Sequence, residues 1–254
     1  LLVASNKHGS PTTCIQTIKG GRMYLEKNLD FKESTDSKLI SYMTKSKKIL
    51  ISQKSAGSSL FSGYGIRFMD AVYHKLEKFI ITGPKPINDF AFDPTEAFLM
   101  SVSKETTCKI FNIDTRQSVM SFTPSESALW TCAFNKSRDN QVIFGAQNGI
   151  TYIYDTKKPN EILHTIETLN RTPVKWIVAV NKTEAFPHGG FFVVQVRGLY
   201  FYEYHNGYEL RQTKLNFDDS VLTATYDDKT EMLLITTAAM EQTFHILTRL
   251  IKVD

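Results

Sequence analysis

Cysteine is scarce in this chain. The three present, Cys14, Cys108 and Cys132, are odd in number and irregularly spaced, which excludes a disulfide framework and points to a reducing compartment. Long apolar runs are absent as well. Those present, such as 191–194 and 232–235, are far too short to cross a bilayer, so no membrane partner is expected. The first ten residues hold Lys7 and His8 and no continuous apolar core, so they do not read as a signal peptide. The chain opens on Leu1, without an initiator methionine, and is expected to be a fragment. Neither sign of charge is in large excess. Thirty Lys and Arg against 26 Asp and Glu give a net charge of +4, which permits a weak attraction to an acidic partner without requiring one. The densest basic cluster, Lys45, Lys47 and Lys48, reads as a solvated turn between strands.

Catalytic signatures are missing too. None of the six histidines sits in a His-x-x-x-His pattern, and no Cys-x-x-Cys occurs, so neither zinc nor another metal is expected. No nucleophile elbow, phosphate loop or dinucleotide fingerprint is present, and no cofactor is expected. The pairs Asp218-Asp219 and Asp227-Asp228 lie in polar turns beside strands, where solvated turn chemistry accounts for them. Gly20-Gly21 and Gly189-Gly190 read as turn glycines. The sequons at Asn135, Asn170 and Asn181 carry no meaning in a cytosolic or nuclear chain.

What the chain does have is a repeat. Helical periodicity is rare; short alternating or apolar runs recur between Gly, Pro, Asn, Asp and Ser instead. The clearest unit has strands at 87–92, 97–102, 108–113 and 118–122. The next copies it at 129–134, 142–146, 150–154 and 162–166. Looser copies open at 39–43, 174–180 and 221–226. First strands therefore recur about every 40–50 residues, four strands to a unit, the signature of propeller blades. The third strands end in Phe111-Asn112 and Tyr154-Asp155, where WD repeats carry Trp-Asp. The aromatic at that place is expected to pack between blades, and the Asn or Asp to help end the strand. Gly149 suits a turn that needs positive φ. The fold expected is all-β, a WD-repeat β-propeller over 23–254 preceded by a linker over 1–22. Five blades are visible. The run 23–31 is expected to be the outermost strand of a blade completed by later chain. Five blades and a strand do not close, so a seven-bladed ring with further blades after Asp254 is expected.

Propellers bind through the loops that enter each first strand and join the second to the third. Here those loops carry Lys85, Lys104, Gln147, Arg171 and Arg197, and Trp130 opens a first strand beside one of them. Two readings of Trp130 stand: an exposed anchor for a protein partner, or a filler between blades. Leu222, an apolar residue near the central channel, is expected to be structural, with a charge there costing several kcal/mol.

Six segments sharpen the assignment: Ser41-Tyr42-Met43, Ile51-Ser52-Gln53, Gly63-Tyr64-Gly65-Ile66, Ala128-Leu129-Trp130-Thr131-Cys132, the run 148–155 from Asn148 to Asp155, and Ala185-Phe186-Pro187-His188-Gly189-Gly190. In order and spacing these resemble the C-terminal half of the RING-finger and WD-repeat ubiquitin ligases. The last is the most specific, because nothing generic to WD repeats requires it. The resemblance implies a nuclear RING-type ubiquitin transferase of the DNA-damage and replication-stress response. Its RING recruits the conjugating enzyme; its WD repeats recruit substrates, notably replication protein A. This chain has no RING cysteines and no coiled coil, so the segment itself is expected to be non-catalytic, and no catalytic residues carry over. The alternatives are a non-enzymatic WD scaffold for complex assembly and, weakest given the small net charge, a direct nucleic-acid binder with steep salt dependence.

Overall fold

The computed structural model describes residues 2–7, 10–19, 22–30, 37–55, 63–168, 171–205, 207, 209–217, 220–239 and 242–249. Among them every helix or strand element is a strand. The chain divides into two compact units, Leu1–Ile87 and Asn88–Asp254.

The first unit holds two antiparallel sheets. Strands β1 (Leu2–Lys7), β2 (Ser10–Lys19) and β3 (Arg22–Asp30) pair in that order. Two expectations are corrected here. Residues 1–22 are not a linker, because they supply β1 and β2. The run 23–31 does not wait for later chain either: its residues up to Asp30 pair with β2, from Thr12↔Asp30 to Lys19↔Arg22. The second sheet is a four-stranded meander of β4 (Ile40–Met43), β5 (Lys48–Lys54), β6 (Tyr64–Asp70) and β7 (Leu76–Gly83).

The second unit holds four sheets in chain order. The first is β8 (Ile87–Phe92), β9 (Phe98–Ser103), β10 (Cys108–Asn112) and β11 (Ser118–Phe122). The second is β12 (Leu129–Phe134), β13 (Gln141–Ala146), β14 (Ile150–Asp155) and β15 (Ile162–Glu167). The third is β16 (Val174–Val180), β17 (Gly190–Gln195), β18 (Gly198–His205) and β19 (Glu209–Leu215). The fourth has three strands, β20 (Ser220–Asp227), β21 (Met232–Ala239) and β22 (Gln242–Arg249). The strands predicted from alternation therefore recur at their places, with ends moved by one to three residues.

Successive side chains along a strand point to opposite faces. Here both faces of the inner strands are covered, so the inner strands read as apolar runs instead of alternating. Val142 and Phe144 face the first sheet's Met100, Ile110 and Phe122, while Ile143 and Ile153 face Val174 and Ile177 of the third. Phe191 and Tyr202 look back toward the second sheet; Phe192 and Phe201 look forward to Val221, Leu233 and Ile235 of the fourth. Three cores thus alternate with four sheets. Of the predicted WD-position aromatics, Tyr154 belongs to this packing. Phe111 is buried, and Tyr154 lies in the core between the first two sheets with its ring centroid 5.3 Å from Phe122. Asn112 Oδ1 accepts from the N–H groups of Asp114 and Thr115, and Asp155 Oδ1 from that of Lys157, which ends both strands.

The first strands share a feature that alternation does not reveal. In β12, β16 and β20 the ladder slips by one residue, between Leu129 and Thr131, Val174 and Trp176, and Val221 and Thr223. Each is a bulge, and the extra residues are Trp130, Lys175 and Leu222. The bulge removes Leu222 from the apolar face that Val221 and Ala224 occupy. It is 40% exposed, so its assignment to the core is corrected, and a charge there meets water.

Candidate protein-interaction site

In a meander of antiparallel strands, the loops entering the first strand and joining the second to the third fall on one edge of the sheet. In the second unit those loops interlock. Leu129 N–H donates to Glu105 O at 3.3 Å, and Gln147 N–H to Ala128 O at 2.9 Å. Gln195, fully buried, accepts the Thr168 hydroxyl at 2.7 Å and donates to Gly149 O at 3.0 Å. Gly149 has φ +84°, and a Cβ there would stand 2.6 Å from the Arg171 carbonyl carbon, so both its φ and its neighbour require glycine. The result is a rim held by backbone and buried amides, from which side chains project.

Of the residues proposed from sequence, Lys104, Gln147, Arg171 and Arg197 are exposed on this rim. Arg171 pairs with Glu167 at 3.0 Å across a solvated i,i+4 spacing, a contact of at most about 1 kcal/mol. Lys85 is exposed in the turn that ends the first unit. Trp130 is half-buried and absent from the three inter-sheet cores, which favours the anchor reading over the filler. Its position comes from the bulge, and the carbonyl of Leu129 beside it accepts from Asn88 Nδ2 at 2.7 Å. The same place holds Lys175 and Leu222 in the next two sheets, so a row of indole, ammonium and isobutyl groups follows the bulges.

Beneath the rim the first strands are joined by a polar relay. The Asp89 carboxylate accepts the Thr131 hydroxyl at 2.7 Å and the Cys132 N–H at 3.0 Å, and Thr131 Oγ1 in turn accepts the Ile177 N–H at 3.2 Å. Burial pushes Asp89 up to about 6, against the lowering pull of those hydrogen bonds. Burial also raises the thiols of Cys108 and Cys132 well above their ordinary value, so neither is a reactive thiolate, and both are free of disulfides.

The opposite edge carries the turns from first to second strand. Asn135 Nδ2 donates to Gln141 Oε1 at 3.0 Å and to the Tyr204 hydroxyl at 2.6 Å, and that hydroxyl donates to Gln141 Oε1 at 2.9 Å. Asn135 and Tyr204 are 69 residues apart, and spacing gave no signal of the contact. The segment 185–190 is now explained. Phe186 is buried against Phe201 at 4.7 Å, a Cβ on Gly189 (φ +67°) would meet Ser137 Cβ at 2.3 Å, and one on Gly190 would meet Tyr202 O at 2.3 Å. Gly189 is a turn glycine, as expected, whereas Gly190 opens β17, which corrects the turn reading for it; both are fixed by close approach to the neighbouring strand and sheet. Asp228 likewise serves turns: it pairs with Lys136 at 2.6 Å and accepts the Asn181 N–H at 2.8 Å. Asp218-Asp219, Gly20-Gly21 and Asn170 lie outside the described residues. A cavity of about 320 Å³ also opens on this edge, floored by Phe98, Ile110 and Phe134. Its Asp93 carboxylate is occupied by Thr95 and the Phe98 N–H.

The Tyr204 hydroxyl supports a stability prediction. Tyr204→Phe leaves the buried Asn135 and Gln141 short of a partner and lowers unfolding free energy by about 1–3 kcal/mol. The Tyr202 hydroxyl is buried without a partner, so Tyr202→Phe is neutral or stabilising. Denaturant unfolding of both variants checks the pair.

Four-stranded meanders that pack face to face, with degenerate Trp-Asp positions and an exposed loop rim, define a WD-repeat β-propeller, a class built for recognition. More particularly, the chain belongs to the family described as the E3 ubiquitin-protein ligase RFWD3 WD40 domain, whose model matches residues 23–252. It is similar to E3 ubiquitin-protein ligase RFWD3 of Mus musculus, 23% identical over 187 residues. It is also similar to the protein of that name from Homo sapiens, 21% identical over 186 residues. Each match covers 72% of this chain and 24% of the relative, so the matched stretch spans about a quarter of those proteins. Strands β1 and β2 precede the matched residues.

Proposed function

We propose that this chain is the substrate-recognition domain of a RING-type ubiquitin ligase that works in the nucleus during the DNA-damage and replication-stress response. Its rim engages replication protein A. Membership of the ligase family supports the first part, and the relatives are named as E3 ubiquitin-protein ligases. The observation that carries the site is the bulge in β12, which sets Trp130 half-exposed on the rim that also presents Lys104 and Arg197. An aromatic flanked by cations, with its backbone held by Asn88, is the composition of an interface anchor.

The test is a binding measurement between the full chain and purified replication protein A. Trp130→Ala is expected to weaken binding about thirtyfold or more, as for a hot-spot residue. Arg197→Glu is expected to slow association at low salt and to flatten its dependence on salt. A folded chain that does not bind replication protein A defeats this reading and leaves a scaffold role on other partners.

A further inference from the structure

The modest net charge conceals a strong segregation. Residues 37–87 hold nine lysines and arginines against two carboxylates, Asp70 and Glu77, whereas residues 88–254 hold 16 cations against 20 carboxylates. The β4–β7 sheet is therefore a basic blade, and four of these nine cations gather at one end. There the β4–β5 turn and the β6–β7 turn lie side by side, joined by the Ala71 N–H donating to Lys47 O at 2.9 Å. Lys45, Lys47 and Lys75 are exposed on these turns, and Lys48 reaches Glu77 at 2.8 Å.

The same end presents apolar side chains to water. Tyr73 is 81% exposed and Val72 59%. Tyr42 and Leu76, also exposed, flank them in one cross-strand row, since Tyr42 pairs with Ile49, Ile49 with Met69 and Met69 with Leu76. The tip is rigid. Asp70 Oδ1 accepts the N–H groups of Val72 and Tyr73 at 2.8 and 2.7 Å, and Asp70 N–H donates to Lys75 O at 2.9 Å. Large apolar groups left in water on an ordered hairpin, ringed by cations, are the anatomy of a docking surface and not of a solvated turn.

We infer that this tip docks an acidic protein segment that carries bulky apolar residues, at the end of the β4–β7 sheet opposite Lys85. Charge complementarity selects the acidic partner: the lysines steer it and pair at the rim, while Tyr73, Val72 and Leu76 bury its apolar residues. Nucleic acid fits less well. Val72 and Leu76 offer nothing to phosphates or stacked bases, and the sheet's one arginine, Arg67, is engaged over the Phe79 ring at 4.6 Å. The inference stands apart from the replication protein A reading, because it uses another surface.

The test titrates the full chain with three fluorescent probes. One is a peptide of aspartate and glutamate carrying leucine and phenylalanine. The second is the same peptide with alanine at the apolar positions, and the third an oligothymidylate of matched charge. The apolar-acidic peptide is expected to bind at least about tenfold more tightly than the other two. Lys47→Glu with Lys75→Glu, and Tyr73→Ala separately, are each expected to cost it about tenfold. Trp130→Ala leaves it unchanged. These are exposed turn positions, and an unfolding midpoint equal to that of the parent chain verifies each variant. Equal binding of the two peptides, tighter binding of the oligothymidylate, or tip variants within about twofold of the parent overturns the inference.

Discussion

Alanine in place of Phe144 lowers the free energy of unfolding by about 3–5 kcal/mol. Phe144 is fully buried and sits in a three-ring cluster with Phe122 at 5.4 Å and Tyr154 at 5.8 Å, while those two rings are 5.3 Å apart. Phe122 comes from β11 and the other two from β13 and β14, so the cluster joins two sheets. Truncating the middle ring removes its transfer free energy and leaves a cavity that two edge-on rings cannot collapse to fill. The control is Phe244→Ala. Phe244 lies on β22, 45% exposed, and its loss changes stability by less than about 1 kcal/mol. Denaturant midpoints at constant slope report both. Equal losses in the two variants would mean that the sheets are not held by this core.

The second large effect depends on pH. Burial raises the Asp89 carboxyl from 3.8 to about 6 in the folded chain. Between those values the folded state keeps a proton that the unfolded state has released. The group's contribution is therefore fully favourable below about pH 4 and is lost as pH rises through about 6. A separation of about two units corresponds to about 3 kcal/mol. Asp89→Asn cannot titrate, so the stability of the variant relative to the parent is expected to rise by about 3 kcal/mol between pH 4 and pH 7. The amide also keeps an acceptor for the Thr131 hydroxyl and the Cys132 N–H. A difference that is flat with pH would show that burial does not raise the Asp89 carboxyl above its ordinary value.

The parts of this structure that follow from short-range pattern were legible. Alternation and turn residues located the strands of the four-stranded sheets, and the Phe111 and Tyr154 positions followed from the register of the repeat. Gly149 announced its positive φ. The bulges were not legible, because a bulge is a property of two paired strands, and Trp130, Lys175 and Leu222 share no side-chain type. That is why Leu222 was placed in the core and why Trp130 admitted two readings. Strand β2 was missed because its signal lies in β-branched content, Thr12, Thr13, Ile15, Thr17 and Ile18, instead of alternation. The Asn135–Tyr204 contact joins a turn of one sheet to a strand of the next, which no local pattern encodes. The basic blade was present in the composition but hidden by summing over the chain: the acidic second unit offsets it.

The sheets stack through apolar runs that face both ways. The buried Asp89–Thr131–Ile177 chain joins the first strands. The bulges above it turn Trp130, Lys175 and Leu222 out of the ladder toward the loop edge. A recognition surface on such a scaffold is rigid, so partner binding costs little ordering of its backbone. The most direct measurement is amide hydrogen exchange of the full chain with and without bound replication protein A. Slowed exchange is expected in the loops at 104–107, 123–130, 147–149, 171–173 and 196–197. Unchanged exchange there, with protection confined to the opposite edge at 93–97, 135–140 and 181–189, would contradict a binding surface on the rim.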